Sequence, residues 1–199
     1  MVTATADVRL AHMGEGTTEG PVVRRFTADE AIRMVEAGIL GEDEHVELID
    51  GAFVGMSPQG ARHSRALLLL GERLRAAYHG HVHVREQQPL AASPFDLPEP
   101  DIAVVRGRVA DYFAHPTGRD AILAVEVAWT SQRTDQQKAS VYAAGGVEAY
   151  WLLDLAARTL EVRTTPVGGA YRVARVLGED DVVELPESDA RWIVRDLLR

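Results

Sequence analysis

The sequence predicts an α/β fold, or more broadly an α+β fold, in which helices flank a mixed central sheet. Residues 121–128 form a nearly continuous apolar run, which is typical of a central strand buried on both faces. In residues 61–78 the apolar positions recur at helical spacing and predict a long helix that packs across the sheet. Several other segments alternate apolar and polar residues as strands do. Together these patterns predict one layered unit of strands and helices.

The composition is that of one soluble domain, and it excludes several kinds of site. Of the 199 residues, 46% are hydrophobic, 26% are charged and none is cysteine. Without cysteine the chain has no disulfide, zinc-thiolate centre or cysteine nucleophile. Its apolar runs are shorter than the roughly 18 to 20 residues of a membrane span, and no basic segment followed by an apolar one begins the chain. We therefore expect a cytoplasmic protein without membrane association.

The first part of the chain contains a predicted tail and a predicted helix. Residues 1–22 lack periodic apolar positions, so we expect a flexible tail ahead of a single domain at 23–199. Thr27, with Glu30 three residues later, predicts a capping box that opens a short helix. Gly38 is expected to end that helix.

Turn and cap residues separate the remaining predicted elements. Asp50-Gly51 lies between two apolar runs and predicts a tight hairpin, which places Glu47 on its first strand. Thr134 and Gln137 form a second capping-box pattern and predict the start of another helix. The other predicted strands lie at 82–87, 100–105, 149–154, 159–164 and 170–177, and a short helix is predicted at 189–198.

The charge of the chain limits how it can meet a polyanion. Thirty acidic and 21 basic residues give a formal net charge of -9, the wrong sign for a protein whose whole surface binds nucleic acid. Such a partner would be met locally, by arginines such as Arg62, Arg65 and Arg133. Lys138 is the single lysine of the chain. Because an ammonium is compact and can shift its pKa, Lys138 is a candidate for chemistry that a guanidinium cannot perform.

Glu126 is the first candidate for a functional residue. A carboxylate within an apolar strand is costly when buried alone. Glu126 therefore pairs with an arginine, lies near the exposed end of the strand, or is compensated by a divalent metal. Asp101, at the start of a predicted neighbouring strand, supplies a second carboxylate of the kind that holds Mg²⁺. Lys138 lies in the helix that follows the Glu126 strand. Two acids and a lysine in this order match the chemistry of a metal-dependent phosphodiesterase.

An ordered set of short motifs covers residues 44–154, a little more than half of the chain. They are, in order, Val46-Glu47-Leu48-Ile49-Asp50-Gly51, Met56-Ser57-Pro58 with His63, Gln87 before Pro89, Pro98-Glu99-Pro100-Asp101-Ile102-Ala103-Val104, Val125-Glu126-Val127, Asp135 with Lys138, Tyr142, Gly146-Val147 and Tyr150-Trp151-Leu152-Leu153-Asp154. Each motif alone is weak. In this order they resemble the restriction endonuclease group called Uma-two, a branch of the PD-(D/E)XK nuclease superfamily.

This resemblance implies a restriction-endonuclease-like core and a set of site residues. Asp101 and Glu126 would be metal ligands, and Glu47 would lie near the metal as a third acid. Lys138 would be the catalytic lysine, displaced onto a helix. The implied cofactor is Mg²⁺, for which Mn²⁺ can substitute.

Two polar residues complete the candidate site, and two positions depart from the family pattern. His63 could contact phosphate or the attacking water. Gln87 could position a water beside the metal. Ala128 stands where the superfamily usually has its lysine, and Trp129 stands in a loop where the family commonly has Leu-Ser-Pro-Ser.

Three functions fit these residues. The first is a metal-dependent endonuclease that acts on DNA. The second is a binding or regulatory module that keeps the nuclease fold without turnover, and the third is a phosphoesterase for a small nucleotide. A homodimer with twofold symmetry would allow two sites to cut both strands of a duplex. The sequence shows no recognition element that separates DNA from RNA.

Overall fold

The computed structural model describes residues 23–41, 43–56, 58–78, 80–129 and 132–198, without the side chains of 132–136. The tail expected at 1–22 lies outside these residues. The helices are α1 (Ala28–Glu36), α2 (Ala61–Ala77) and α3 (Gln132–Gly145). The strands are β1 (Val46–Ile49), β2 (Ala52–Gly55), β3 (Val82–Glu86), β4 (Ile102–Arg106), β5 (Ala121–Ala128), β6 (Ala149–Asp154), β7 (Thr159–Val167), β8 (Ala170–Leu177), β9 (Val182–Glu184) and β10 (Arg191–Ile193).

A six-stranded mixed sheet in the order β3-β4-β5-β6-β7-β8 forms the centre of the molecule. Only β5 and β6 pair in parallel within it, and α3 is the crossover between them. The other neighbours are antiparallel. Two hairpins, β1-β2 and β9-β10, lie outside this sheet. The predicted fold class, a mixed sheet flanked by helices, is confirmed.

The two faces of the sheet pack against different helices, and β5 contributes to both. Val125 and Val127 join the apolar cluster that contains the buried leucines of α2. Ala124 and Ala128, which point to the opposite face, pack with Ala139 and other residues of α3. Because side chains alternate along a strand, Glu126 belongs to the α3 face. The fold thus places the carboxylate of Glu126 under the helix that carries Lys138.

Local signals near the first helix and the first hairpin predict the structure correctly. Thr27 and Glu30 form the capping box, in which each side chain accepts a hydrogen bond from the other residue's backbone N–H. Asp50 and Gly51 have φ of 52° and 74°, so the turn between β1 and β2 has both central residues in the left-handed region. The hairpin places Glu47 on β1, as predicted.

One predicted helix start and one predicted element are wrong. The helix α3 begins at Gln132, so Thr134 lies inside the helix rather than at its N-cap. Gln132 and Arg133 are good helix formers and extend α3 toward the end of β5. The helix predicted at 189–198 is instead the strand β10 followed by a 3-10 turn at Val194–Asp196, because β10 pairs with β9. None of the described helices is long and apolar enough to cross a membrane.

The end of α3 offers a test of how closely the site helix must pack. A Cβ added to Gly145 would lie 2.8 Å from the carbonyl oxygen of Ala92, a backbone atom that cannot turn away. We expect Gly145→Ala to lower the free energy of unfolding by about 1–3 kcal/mol through overpacking. The matched control is Gly55→Ala, because a Cβ there would meet nothing within 4 Å. Thermal unfolding of both variants measures the difference, and equal melting temperatures would contradict this account of α3 packing.

Candidate functional site

The centre of the candidate site is an ammonium shared by two carboxylates. The Lys138 Nζ lies 3.2 Å from Oε1 of Glu126 and 3.0 Å from Oε1 of Glu47. All three residues are buried. Glu126 comes from β5, Lys138 from α3 and Glu47 from β1, so three separate elements must pack together to bring these charges into contact. The contacts place Glu47 beside the predicted pair of Glu126 and Lys138.

Tyr142 is a site residue to which the sequence assigned no role. Its hydroxyl donates a 2.7 Å hydrogen bond to Oε1 of Glu126, and its side chain is fully buried. Tyr142 lies four residues after Lys138, and this spacing puts both on one face of α3. Its ring also stacks on that of Tyr150 in β6. The helical spacing from Lys138 is the sequence signal that could have identified it.

Asp101 lies beside Glu126, at the start of the neighbouring strand. Ile102 pairs with Val125, so the register places Asp101 next to Glu126 across the sheet. Its Oδ2 accepts a 2.8 Å hydrogen bond from the backbone N–H of Val127. This bond holds the Asp101 carboxylate at the end of β5, where the β4-β5 pairing stops.

His63 contacts the same carboxylate from the first turn of α2. Its Nε2 is 2.9 Å from Oδ2 of Asp101. Because an ionised carboxylate only accepts hydrogen bonds, Nε2 carries the hydrogen. The Nδ1 of His63 is buried and has no hydrogen-bond partner among the described residues. His63 is thus oriented by Asp101 and keeps a second ring nitrogen for another group.

A fourth acid, Glu99, lies against Glu47 and was not predicted as a site residue. The backbone N–H of Glu99 donates to Oε2 of Glu47 at 3.1 Å, and this bond fixes the Glu47 side chain. Burial and the neighbouring Glu47 raise the pKa of the Glu99 carboxyl. Its place two residues before Asp101, between two prolines, is a signal that could have pointed to it.

Gln87 meets the site through its backbone. It follows β3 in the left-handed region, with φ of 49°. Its N–H donates to the carbonyl oxygen of Asp101 at 3.1 Å, while the residue itself is exposed. The structure thus brings Gln87 next to Asp101, with the backbone as the contacting group.

The site carries more negative than positive charge. Burial raises the pKa of Glu126 to about 8, and Asp101 and Glu47 add to this rise against the opposing effect of Lys138. Burial alone would lower the pKa of Lys138, but Glu126 and Glu47 outweigh it and raise that pKa. Both pKa values rise for a consistent reason. Two carboxylates stabilise the charged form of Lys138, whereas one ammonium does not offset burial and the other acids around Glu126. Lys138 stays charged, and the acids around it are incompletely neutralised.

The donor atoms of this site suit a hard divalent cation. Carboxylate oxygens are the ligands of Mg²⁺, which takes one or two of them and keeps several waters. Asp101 and Glu126 lie side by side on neighbouring strands and meet that requirement. Within the described ranges, no group of three His, Cys, Asp or Glu side chains is arranged to hold a metal by itself. The site fits an ion that two acids and waters hold, rather than a closed protein cage.

The raised pKa of Glu126 predicts how stability depends on pH in the absence of metal. A carboxyl whose folded-state pKa exceeds its unfolded value stabilises the fold below about 4.5, and this contribution is lost as the pH rises through about 8. Glu126→Gln cannot ionise, so its melting temperature should fall less than that of the wild type between about pH 5 and about pH 9. Thermal unfolding in a metal chelator measures this difference.

Glu72→Gln is the matched control for this experiment, since Glu72 is exposed on α2. This variant should follow the pH dependence of the wild type. If Glu126→Gln follows it as well, burial of a titrating Glu126 is not what shapes the curve.

Comparisons with known proteins agree with this fold. A solved structure described as a putative nuclease belonging to DUF820, from Anabaena variabilis, is similar with a TM-score of 0.70. It is 18% identical in sequence, and the similarity covers 87% of this chain and 97% of that chain, which shows a common fold. No curated protein matches the chain. The model of the Uma2 family, described as "putative restriction endonuclease", matches residues 29–194. Because that match spans most of the sequence, the chain belongs to the Uma2 family, as its motifs predict.

Proposed function

We propose that the protein is a metal-dependent endonuclease that hydrolyses phosphodiester bonds of DNA. The observation that carries the proposal is the buried contact of Lys138 with Glu47 and Glu126, beside Asp101. Buried ion pairs are often no more stable than apolar side chains of the same volume, so stability alone does not account for such a cluster. Clusters with perturbed pKa values are typical of active sites. Membership of a restriction-endonuclease family supports the same reaction class.

Asp101 and Glu126 would hold the metal ion, and Glu47 would be the third acid close to it. Mg²⁺ is the ion that these oxygen donors favour, with Mn²⁺ as a substitute. When bound, such an ion lowers the pKa of a coordinated water and offsets negative charge on the phosphoryl group. Tyr142 would keep Glu126 in position, because its hydroxyl donates to Oε1 of that residue.

Lys138 would act on the attacking water or on the phosphoryl oxygens. An ammonium has three N–H donors, and the contacts with Glu47 and Glu126 account for two of them. The third can orient the water or stabilise charge that develops in the transition state. An arginine in this place would keep the charge, but its larger planar head group would alter the geometry.

His63 and Gln87 would assist from the Asp101 side of the site. Asp101 orients His63 through Nε2, and the imidazole would contact phosphate or exchange a proton with the water. Gln87 lies beside Asp101, and its exposed side chain would reach water at the same edge of the sheet. Both residues would assist the reaction, while the acids hold the metal ion and Lys138 acts on the water or the phosphoryl oxygens.

A phosphoesterase for a small nucleotide is the alternative, and the net charge of -9 favours it. A small substrate needs no extended basic surface, whereas a duplex meets many phosphates at once. Cleavage of both DNA strands would further favour a homodimer with twofold symmetry. The expected location for either activity is the cytoplasm.

The proposal predicts metal-dependent cleavage that the central residues support. Wild-type protein should nick or cut plasmid DNA with Mg²⁺ or Mn²⁺ and lose this activity in a chelator. Glu126→Gln and Lys138→Met should each lower the rate by at least about 100-fold, the scale of removing one preorganised electrostatic group. Lys138→Arg should restore only part of the activity, because charge alone does not replace the ammonium. Gel electrophoresis of the plasmid measures each rate.

Glu72→Gln is again the matched control and should cut like the wild type. Metal-dependent cleavage that persists in Glu126→Gln would contradict the assigned site. Hydrolysis of a small nucleotide ester by a wild type that leaves DNA intact would favour the phosphoesterase instead.

A further inference from the structure

Trp129 and Arg62 form an exposed aromatic and cationic pair beside the acidic site. The Arg62 guanidinium lies 4.8 Å from the centre of the Trp129 ring, a cation–π distance. Trp129 directly follows β5, three residues after Glu126. Arg62 directly precedes His63, whose imidazole contacts Asp101. Each member of the pair is therefore attached to a strand or helix that carries a site residue.

The exposure of Trp129 distinguishes it from the other two tryptophans. Trp151 is fully buried and Trp192 packs against the core, so both contribute to folding. In contrast, 42% of Trp129 is exposed. The guanidinium on its ring restricts the ring's orientation, and a restricted ring loses less conformational freedom when a ligand stacks on it. The fold thus presents a preorganised aromatic surface at the edge of the site.

The arginines near the Trp129 ring carry the positive charge that binding of phosphate requires. Arg62 and Arg65 are both exposed, near the start of α2. The first turn of α2 contains no acidic residue. This positive patch stands out in a chain with a net charge of -9. An aromatic ring beside arginines is the combination that proteins use to hold a base and its backbone phosphates.

We propose that Trp129 stacks on an unpaired nucleobase while Arg62 and Arg65 contact the flanking phosphates. The substrate would then be a single-stranded or locally unpaired segment of nucleic acid. In an intact duplex the neighbouring bases cover both faces of each base, so an indole can stack only where a base is unpaired, flipped out or at an end. The inference rests on the proposed nuclease function and narrows its substrate.

Binding without cleavage tests this inference. In the Glu126→Gln background with Mg²⁺, fluorescence anisotropy would measure the affinity for a labelled single-stranded DNA. Competition with a relaxed, covalently closed duplex circle, which has neither ends nor loops, would measure the affinity for duplex DNA. We expect the single strand to bind more tightly. Trp129→Ala should weaken single-strand binding by roughly 5- to 100-fold, the scale of losing one stacked base. Trp129→Phe should retain most of it, and the closed duplex should be unaffected.

Phe113→Ala is the matched control. Phe113 is likewise an exposed aromatic residue, but it follows the end of β4 that lies away from Asp101. This variant should bind both DNAs unchanged. Equal affinity of Trp129→Ala and its parent for the single strand, equal losses on both DNAs, or no single-strand binding by the parent would each overturn the inference.

The binding assay and the cleavage assay test the two proposals separately. If the wild type cuts DNA while Trp129→Ala binds single strands normally, the stacking inference falls and the nuclease proposal stands. If Trp129 governs single-strand binding but the wild type cuts nothing, the stacking inference stands and the nuclease proposal falls.

Discussion

The contact of the Lys138 ammonium with Glu47 and Glu126 is the interaction on which the site depends. Three elements distant in sequence supply these groups, and each is buried where an isolated charge would be strongly unfavourable. Burial and the neighbouring acids raise the pKa of Glu126 and of Glu99, even though the ammonium opposes both rises. The fold therefore brings together more acidic groups than one ammonium can balance, and a divalent cation is the ligand that would offset the remaining negative charge.

The central sheet explains how this cluster is assembled. The parallel pair β5-β6 requires a crossover, and α3 supplies it while carrying Lys138 and Tyr142 over the face that presents Glu126. The antiparallel neighbour β4 begins beside Glu126 and delivers Asp101. On the other side of the sheet, α2 is anchored by its leucines and brings His63 to Asp101. The helices and strands that form the core thus also carry the residues of the candidate site.

Much of this site was predictable because single residues violate local rules. Glu126 interrupts an apolar strand, and Lys138 is the only lysine. The helix at 189–198 was predicted wrongly because β10 is formed by pairing with β9, which local periodicity does not reveal. The roles of Tyr142 and Glu99 depend on partners in other elements, so their residue types alone do not disclose them.

A crystal structure of the wild type soaked in Mn²⁺ tests the central claim most directly, since anomalous scattering locates the ion without an activity assay. The account predicts a strong anomalous peak in contact with carboxylate oxygens of Asp101 and Glu126. Mn²⁺ bound only to exposed acids, with Lys138 still bridging Glu47 and Glu126 and no ion beside Asp101, would contradict it.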